Sequence, residues 1–285
     1  MIKMEISNIT IVGAGFTGAQ IASRAILYGF KVKVYDISEE SLLKTEKEIS
    51  GLLKRRNLYD EKSKFISYNN DLLKALENAD LIIEAVPEKL ELKREIFSRI
   101  DELAPPHAII GTNSSSFPVS KMESAVKRKD KLLNLHIYPP IVKTPMIDIM
   151  RGSETSDETF ETGKKWIESI ECYPLIVKKE CLGFVFNRVW HAIKKECLKI
   201  WAGGYADMET VDKAWQIYTG MVMGPFQLMD GVGLDVILDV ENSYYHESGN
   251  ELDKPPEELE KLVEQGDLGL KSGKGFYTYR RRRKK

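Results

Sequence analysis

Apolar residues occur in short runs along the first half of the chain, separated by segments in which they recur every three or four positions. Residues 8–12 form one such run, ended by glycines. Residues 17–28 follow with small and apolar side chains at helical spacing, and 31–35 alternate before Asp36. This succession predicts a β-α-β unit. The pattern continues with a long polar helix over 41–57, a strand at 81–86, a helix over 88–103 and a strand at 108–111. Residues 132–136 and 146–150 read as two further strands around a proline-rich turn. From residue 184 onward the periodicity is helical only, over 184–202, 207–219, 225–246 and 256–265. Strands alternating with helices imply a doubly wound, mostly parallel α/β sheet, and the helical remainder implies a smaller all-α domain. We place the boundary between residues 1–182 and 183–285.

Composition narrows the class. With 42% hydrophobic and 30% charged residues the chain has an ordinary globular balance, which argues against disorder. Its 42 Lys and Arg offset 43 Asp and Glu, so no global attraction to nucleic acid or an anionic membrane is expected. The run from Arg280 to Lys285 reads as a solvated tail. Three cysteines without paired spacing indicate neither a disulfide framework nor a metal site, and no stretch is apolar enough to span a bilayer. The expected compartment is the reducing cytoplasm.

The local chemistry begins at Gly13-Ala14-Gly15-Phe16-Thr17-Gly18, which follows a strand and opens a helix. Gly13 permits a tight turn, Gly15 lets backbone approach a pyrophosphate, and Gly18 lets the helix pack on the sheet. Phosphate then meets the N–H groups of Phe16, Thr17 and their neighbours at the helix N-terminus, as in a Rossmann dinucleotide site. Asp36 ends the second strand, where a carboxylate accepts hydrogen bonds from both adenine-ribose hydroxyls and repels a 2′-phosphate. NAD is therefore expected rather than NADP. His136 closes an apolar strand, and with four histidines in the chain it is the best placed to act as a general base. Asp148 interrupts the apolar Met146-Ile147-Asp148-Ile149-Met150. A buried carboxylate is costly unless paired, and a strand returning through the turn could set it beside His136.

Several further motifs occur in order along the chain: Glu84-Ala85-Val86-Pro87-Glu88, Asn113-Ser114-Ser115-Ser116, His136, Gly183-Phe184-Val185-Phe186-Asn187-Arg188, Met223-Gly224-Pro225-Phe226, Asp230 through Asp235, and Lys271 through Tyr277. With the glycine loop they resemble the 3-hydroxyacyl-CoA dehydrogenase family, including bacterial 3-hydroxybutyryl-CoA dehydrogenases. The resemblance implies that His136 takes the proton of a C3 hydroxyl while hydride passes from C3 to the nicotinamide. It implies that Ser115 hydrogen-bonds that hydroxyl or the thioester side, and that Asn187 positions histidine and substrate across an interdomain cleft. Glu88 and Lys93 fall at the family's positions for contacts to the nicotinamide ribose and neighbouring cofactor groups. Glu88 is expected to open its helix, and Asn113 is a further candidate near the nicotinamide. A homodimer built through residues 183–285 is also implied.

Two departures bear on substrate. The family usually partners the histidine with glutamate, and Asp148 is shorter by one methylene, about 1.5 Å of reach. Residues 137–140 read Ile-Tyr-Pro-Pro where the family carries a Phe-Phe-Asn-Pro-like segment, and Pro139 offers no side-chain hydrogen bonds. The expected substrate is an L-3-hydroxyacyl-CoA. A small free hydroxy acid stays open, as in the related lambda-crystallin and gulonate dehydrogenase branch or for carnitine. An NAD-binding protein with a decayed catalytic pair is the non-enzymatic alternative. Lys54-Arg55-Arg56 could meet the 3′-phosphate of CoA, although a solvated helix end explains it as well.

Overall fold

The computed structural model describes residues 5–279; the basic run from Arg280 to Lys285 lies outside them. The described residues divide into two compact units, the first running to Val185 and the second starting at Phe186.

The first unit runs β1 (Asn8–Val12), α1 (Phe16–Leu27), β2 (Lys31–Tyr35), α2 (Glu39–Arg55), α3 (Tyr59–Lys62), β3 (Ile66–Asn69), α4 (Leu72–Leu76), β4 (Leu81–Glu84), α5 (Leu90–Leu103), β5 (Ile109–Thr112), β6 (Leu132–Ile137), β7 (Met146–Arg151), α6 (Asp157–Ser169) and β8 (Tyr173–Val177). The strands form one sheet in the order β3-β2-β1-β4-β5-β6-β7-β8. Pairing is parallel from β3 to β6; β7 runs antiparallel to β6, and β8 is parallel to β7. The order reverses between β1 and β4, and a doubly wound sheet opens its ligand crevice at the carboxyl ends of such strands.

Period-two alternation divides the core into layers. Ile9, Ile11, Val32 and Val34 pack with Ile21 and Ala25 of α1 and Ile49 and Leu53 of α2. Val12, Ile82 and Ile110 pack with Leu76 of α4 and Phe97 and Ile100 of α5. Both faces are thus covered, as a mainly parallel sheet requires.

Five elements lie outside the pattern read from sequence: α3, β3, α4, α6 and β8. Strands β3 and β8 are the sheet's edges; β3 is mixed in composition and only partly buried, whereas the apolar run of β8 contains Pro174, which argues against a strand. Pro174 in β8 lacks an N–H and is tolerated because that strand has a free side. Helix α4 is five residues long, begun by Asp71 accepting from the amides of Leu73 and Lys74. Helix α6 carries Phe160, Trp166 and Ile167 on its buried side behind an N-terminal cap from Ser156.

The second unit contains α7 (Phe186–Ala202), α8 (Met208–Thr219), α9 (Pro225–Val232), α10 (Leu234–Ser248) and α11 (Glu257–Glu264). The continuous helix expected over 225–246 is instead two helices. Gly233 lies between them at φ +109°, a conformation that breaks α-helical geometry and favours glycine. The core holds Leu198, Phe226, Met229, Ile237, Leu259 and Phe276. Asp230, fully buried on α9, accepts hydrogen bonds from the amides of Phe276 and Tyr277 and from the Tyr279 hydroxyl. The Lys271-to-Tyr277 motif therefore has a structural task. A Cβ at Gly269 would lie 2.3 Å from the Asp230 carbonyl oxygen, and one at Gly275 would lie 2.1 Å from its carboxylate. Among the described residues no helix is long and apolar enough to cross a membrane.

Candidate active site

The glycines of the first loop have different duties. Gly13 has φ +117°, and a Cβ there would lie 2.5 Å from the Ala85 carbonyl oxygen. At Gly18 a Cβ would lie 1.9 Å from the Gly13 carbonyl oxygen. Gly15 faces open space, with nothing within 4 Å of the corresponding point. Chain packing alone thus requires the first and third glycines, while the second leaves room for an outside group. Gly15 also begins α1 without a side-chain cap, so the first N–H groups of the helix, at Phe16 and Thr17, are available to an anion. Asp36 is fixed beside this loop: Oδ2 accepts from the Ala14 amide at 2.8 Å and Oδ1 from the Ser38 amide at 2.8 Å. A carboxylate has further lone pairs for ribose hydroxyls. Loop, helix end and carboxylate together fit a dinucleotide.

This division of labour separates two substitutions. Gly18→Ala is expected to destabilise the first unit by about 1–3 kcal/mol through backbone overlap. Gly15→Ala is expected to leave the melting temperature unchanged and weaken NAD about tenfold or more. Thermal melting with and without NAD, together with NAD titration, checks both; equal loss of stability in the two variants would refute the assignment.

At the end of β4, Glu84 is fully buried. Its Oε1 accepts from Lys93 Nζ at 2.8 Å and from the Val86 amide at 2.7 Å, and its Oε2 accepts from Thr112 Oγ1 at 2.7 Å. Lys93 is only 1% exposed and reaches Glu88 at 3.1 Å as well. Glu88 also accepts from the Ser114 hydroxyl and from the Ser116 amide at 3.0 Å. Burial raises the tendency of Glu88 to hold a proton, but Lys93, Ser114 and Ser116 outweigh it and hold the carboxyl below its ordinary range. The expected position of Glu88 at the start of its helix is corrected: α5 begins at Leu90, and Glu88 stands in the preceding turn, where its carboxylate binds the segment after β5 instead of capping α5.

His136 on β6 and Asp148 on β7 are directly opposed in the antiparallel register, so their side chains share one face. His136 Nδ1 and Asp148 Oδ2 are 2.9 Å apart. Cross-strand register thus gives the shorter carboxylate direct contact without a bridging water. With the acidic partner on Nδ1, the proton belongs on that nitrogen and Nε2 is left to exchange protons. The Tyr138 hydroxyl also donates to Asp148 Oδ2. Asn113 Oδ1 accepts from the Ile137 amide at 2.9 Å, tying the loop after β5 to the histidine strand. Gln20 Oε1 accepts from the Ile141 amide at 3.0 Å, tying the proline turn to α1.

These elements converge on a cleft of about 250 Å³ whose lining includes Thr17, Glu88, Lys93, Asn113, Ser115 and His136. Asp148 lies behind the histidine, fully buried. Asn187 belongs to the second unit, on the first turn of α7. The Lys54-Arg55-Arg56 run is exposed at the end of α2, with Lys54 Nζ 4.9 Å from the centre of the Tyr59 ring.

The sequence profile described as 3-hydroxyacyl-CoA dehydrogenase, NAD binding domain, matches residues 8–181, and that described as 3-hydroxyacyl-CoA dehydrogenase, C-terminal domain, matches residues 183–279. The chain belongs to the 3-hydroxyacyl-CoA dehydrogenase family. It is 32% identical to the mouse protein named hydroxyacyl-coenzyme A dehydrogenase, mitochondrial, over 98% of this chain and 93% of that one. The crystal structure of (S)-3-hydroxybutyryl-CoA dehydrogenase from Ralstonia eutropha superposes with a TM-score of 0.90 at 28% identity, covering 97% of this chain and 100% of that one. A diketoreductase structure, described as catalysing reactions of dicarbonyl compounds, superposes with a TM-score of 0.88 at 33% identity, covering 96% and 99%. As a 3-hydroxyacyl-CoA dehydrogenase family member the chain carries an NAD-binding domain and is an oxidoreductase of 3-hydroxyacyl-type substrates.

Several side chains that organise the cleft carry no motif in the sequence. Thr45 of α2 donates to the Ala14 carbonyl of the glycine loop at 2.8 Å, and Gln20 and Thr112 likewise act through partners far away in sequence. Glu84 had a signal available: it is an acid in an otherwise apolar strand, at its end as Asp148 is in its middle.

Proposed function

We propose that the protein oxidises the C3 hydroxyl of an L-3-hydroxyacyl-CoA reversibly to the 3-ketoacyl-CoA, with His136 as general base. The observation that carries this reading is the His136–Asp148 contact, set in one cleft with Thr17 of the glycine loop, Asn113 and Ser115. When bound, NAD supplies the acceptor for the hydride that leaves C3. His136 Nε2 takes the hydroxyl proton as the C3–O bond becomes a carbonyl. Asp148 keeps the proton on Nδ1 and stabilises the imidazolium that results. Ser115 orients the hydroxyl or the thioester oxygen, and Asn187 contributes an amide to the same task. Residues 1–182 hold the cofactor, and residues 183–285 complete the substrate site and form a homodimer.

A second reading, oxidation of a small free hydroxy acid, is favoured by Pro139, which lines the cleft and presents no side-chain donor or acceptor there. Reduction of acetoacetyl-CoA, followed by loss of NADH absorbance, decides between the two. Turnover of the CoA ester with none of the free acid is expected. Activity confined to free acids overturns the first reading, and NAD binding without any turnover overturns both.

A further inference from the structure

Asp148 is held in an unusual manner for a carboxylate that orients a histidine. It is fully buried, and both of its observed hydrogen bonds, from His136 Nδ1 and from the Tyr138 hydroxyl, converge on the single oxygen Oδ2. Oδ1 is equally buried and meets no hydrogen-bond donor among the described residues. A carboxylate fastened through one oxygen can swing about its Cβ–Cγ bond, whose torsion is broad and roughly two-fold. A second donor on that oxygen limits the swing. Tyr138 stands two residues beyond His136 on the same face, its ring 4.5 Å from the imidazole and nearly perpendicular to it, at 72°. The Phe184 ring also lies against the imidazole, 5.2 Å away and tilted by 52°. The histidine is therefore packed against two aromatic rings, and one of them also grips the acid behind it.

We propose that Tyr138 is a positioning residue for the reaction, acting through Asp148: its hydroxyl fixes Oδ2 where His136 Nδ1 meets it. The proposal rests on the reading of His136 as the base. The backbone supports the partnership. The Tyr138 carbonyl accepts from Thr144 Oγ1 at 2.5 Å, and Thr144 Oγ1 also lies 3.0 Å from the Pro140 carbonyl, so the turn between β6 and β7 is closed on the residue that carries the hydroxyl. Tyr138, Asp148 and His136 consequently form one unit spanning two strands and their connection. A charge-assisted hydrogen bond in so dry a site is among the stronger ones, and losing it is felt in geometry before it is felt in folding.

The test is a cycle of four enzymes: the natural protein, Tyr138→Phe, Asp148→Glu, and the two combined. Tyr138→Phe is expected to lower kcat about tenfold while KM for NAD and for the hydroxyacyl substrate stay unchanged. Asp148→Glu alone lowers kcat by a similar or larger factor, because its longer arm meets the tyrosine hydroxyl. The combined variant, with room for the longer acid, exceeds Asp148→Glu in kcat by about tenfold instead of falling further. A Tyr138→Phe enzyme within about twofold of the natural kcat, or a combined variant whose losses simply multiply, overturns the proposal. If Tyr138→Phe also melts earlier, the combined variant still decides, since general loosening is not recovered by lengthening a neighbouring acid. His136→Gln, assayed alongside, separates the two levels. If it retains turnover, the base assignment has failed; if it abolishes turnover while the cycle is additive, only the role of Tyr138 has failed.

Discussion

Replacing His136 with glutamine lowers kcat by about two to four orders of magnitude and leaves NAD affinity within about twofold. The size follows from what is removed. Glutamine keeps a polar side chain beside Tyr138 and Phe184 but cannot take a proton from an alcohol, so the contribution of proton transfer is lost. NAD affinity is spared because the groups that fit its pyrophosphate and ribose, the loop at Gly15 and Asp36, do not touch the histidine. Steady-state kinetics with the hydroxyacyl substrate, together with NAD titration of the same preparation, give both numbers. A kcat within tenfold of the natural enzyme would remove His136 from the mechanism.

Lys93→Met has the largest expected effect on stability. Methionine matches the lysine stem in length and leaves the Glu84 carboxylate fully buried without its cation. Breaking one side of a buried pair costs about 3–5 kcal/mol, whereas the intact pair adds little. In a unit of this size the loss corresponds to a fall on the order of 10 °C in melting temperature. Adding Glu84→Gln to Lys93→Met removes the stranded charge and is expected to recover part of the fall. Calorimetry of the two variants checks this, and a single variant within about 1 kcal/mol of the natural protein would show that Glu84 finds another partner. The same network sets an acid limit. Glu88 is held below the ordinary carboxylate range, so its contribution is present above the unfolded carboxylate's titration and fades as pH falls through the lower folded value.

The parts of this protein legible in its sequence are those where one physical demand acts alone. Strands β1, β2, β4 and β5 are covered on both faces or alternate cleanly, and they read directly from hydrophobic period. Edge strand β3 meets two environments at once, and its mixed composition conceals it; β8 is apolar throughout, but Pro174 within it argues against a strand. In the candidate site, Asp148 is conspicuous because an acid in an apolar strand demands a partner, and antiparallel register supplies His136 opposite. Tyr138 gives no such signal, since a tyrosine beside apolar residues looks like packing until the position of its hydroxyl is known. Thr45, Gln20 and Thr112 are hidden for a related reason: each serves a backbone or side-chain group 28 to 121 residues away, and separation along the chain carries no trace of that meeting.

Asp230 has a bearing on how the polypeptide matures during synthesis. The first unit has every strand of its sheet once Val177 has been made, and an N-terminal domain of this kind folds while translation continues. The second cannot close so early. The carboxylate in the last turn of α9 waits for the amides of Phe276 and Tyr277 and the hydroxyl of Tyr279, 46 to 49 residues further along. Until those residues emerge, a buried acid lacks its donors and Phe276 is missing from the aromatic cluster with Trp201 and Phe226. A nascent chain stalled before residue 276 therefore presents a finished nucleotide-binding half joined to an unfinished helical half, the form most exposed to chaperones and proteases.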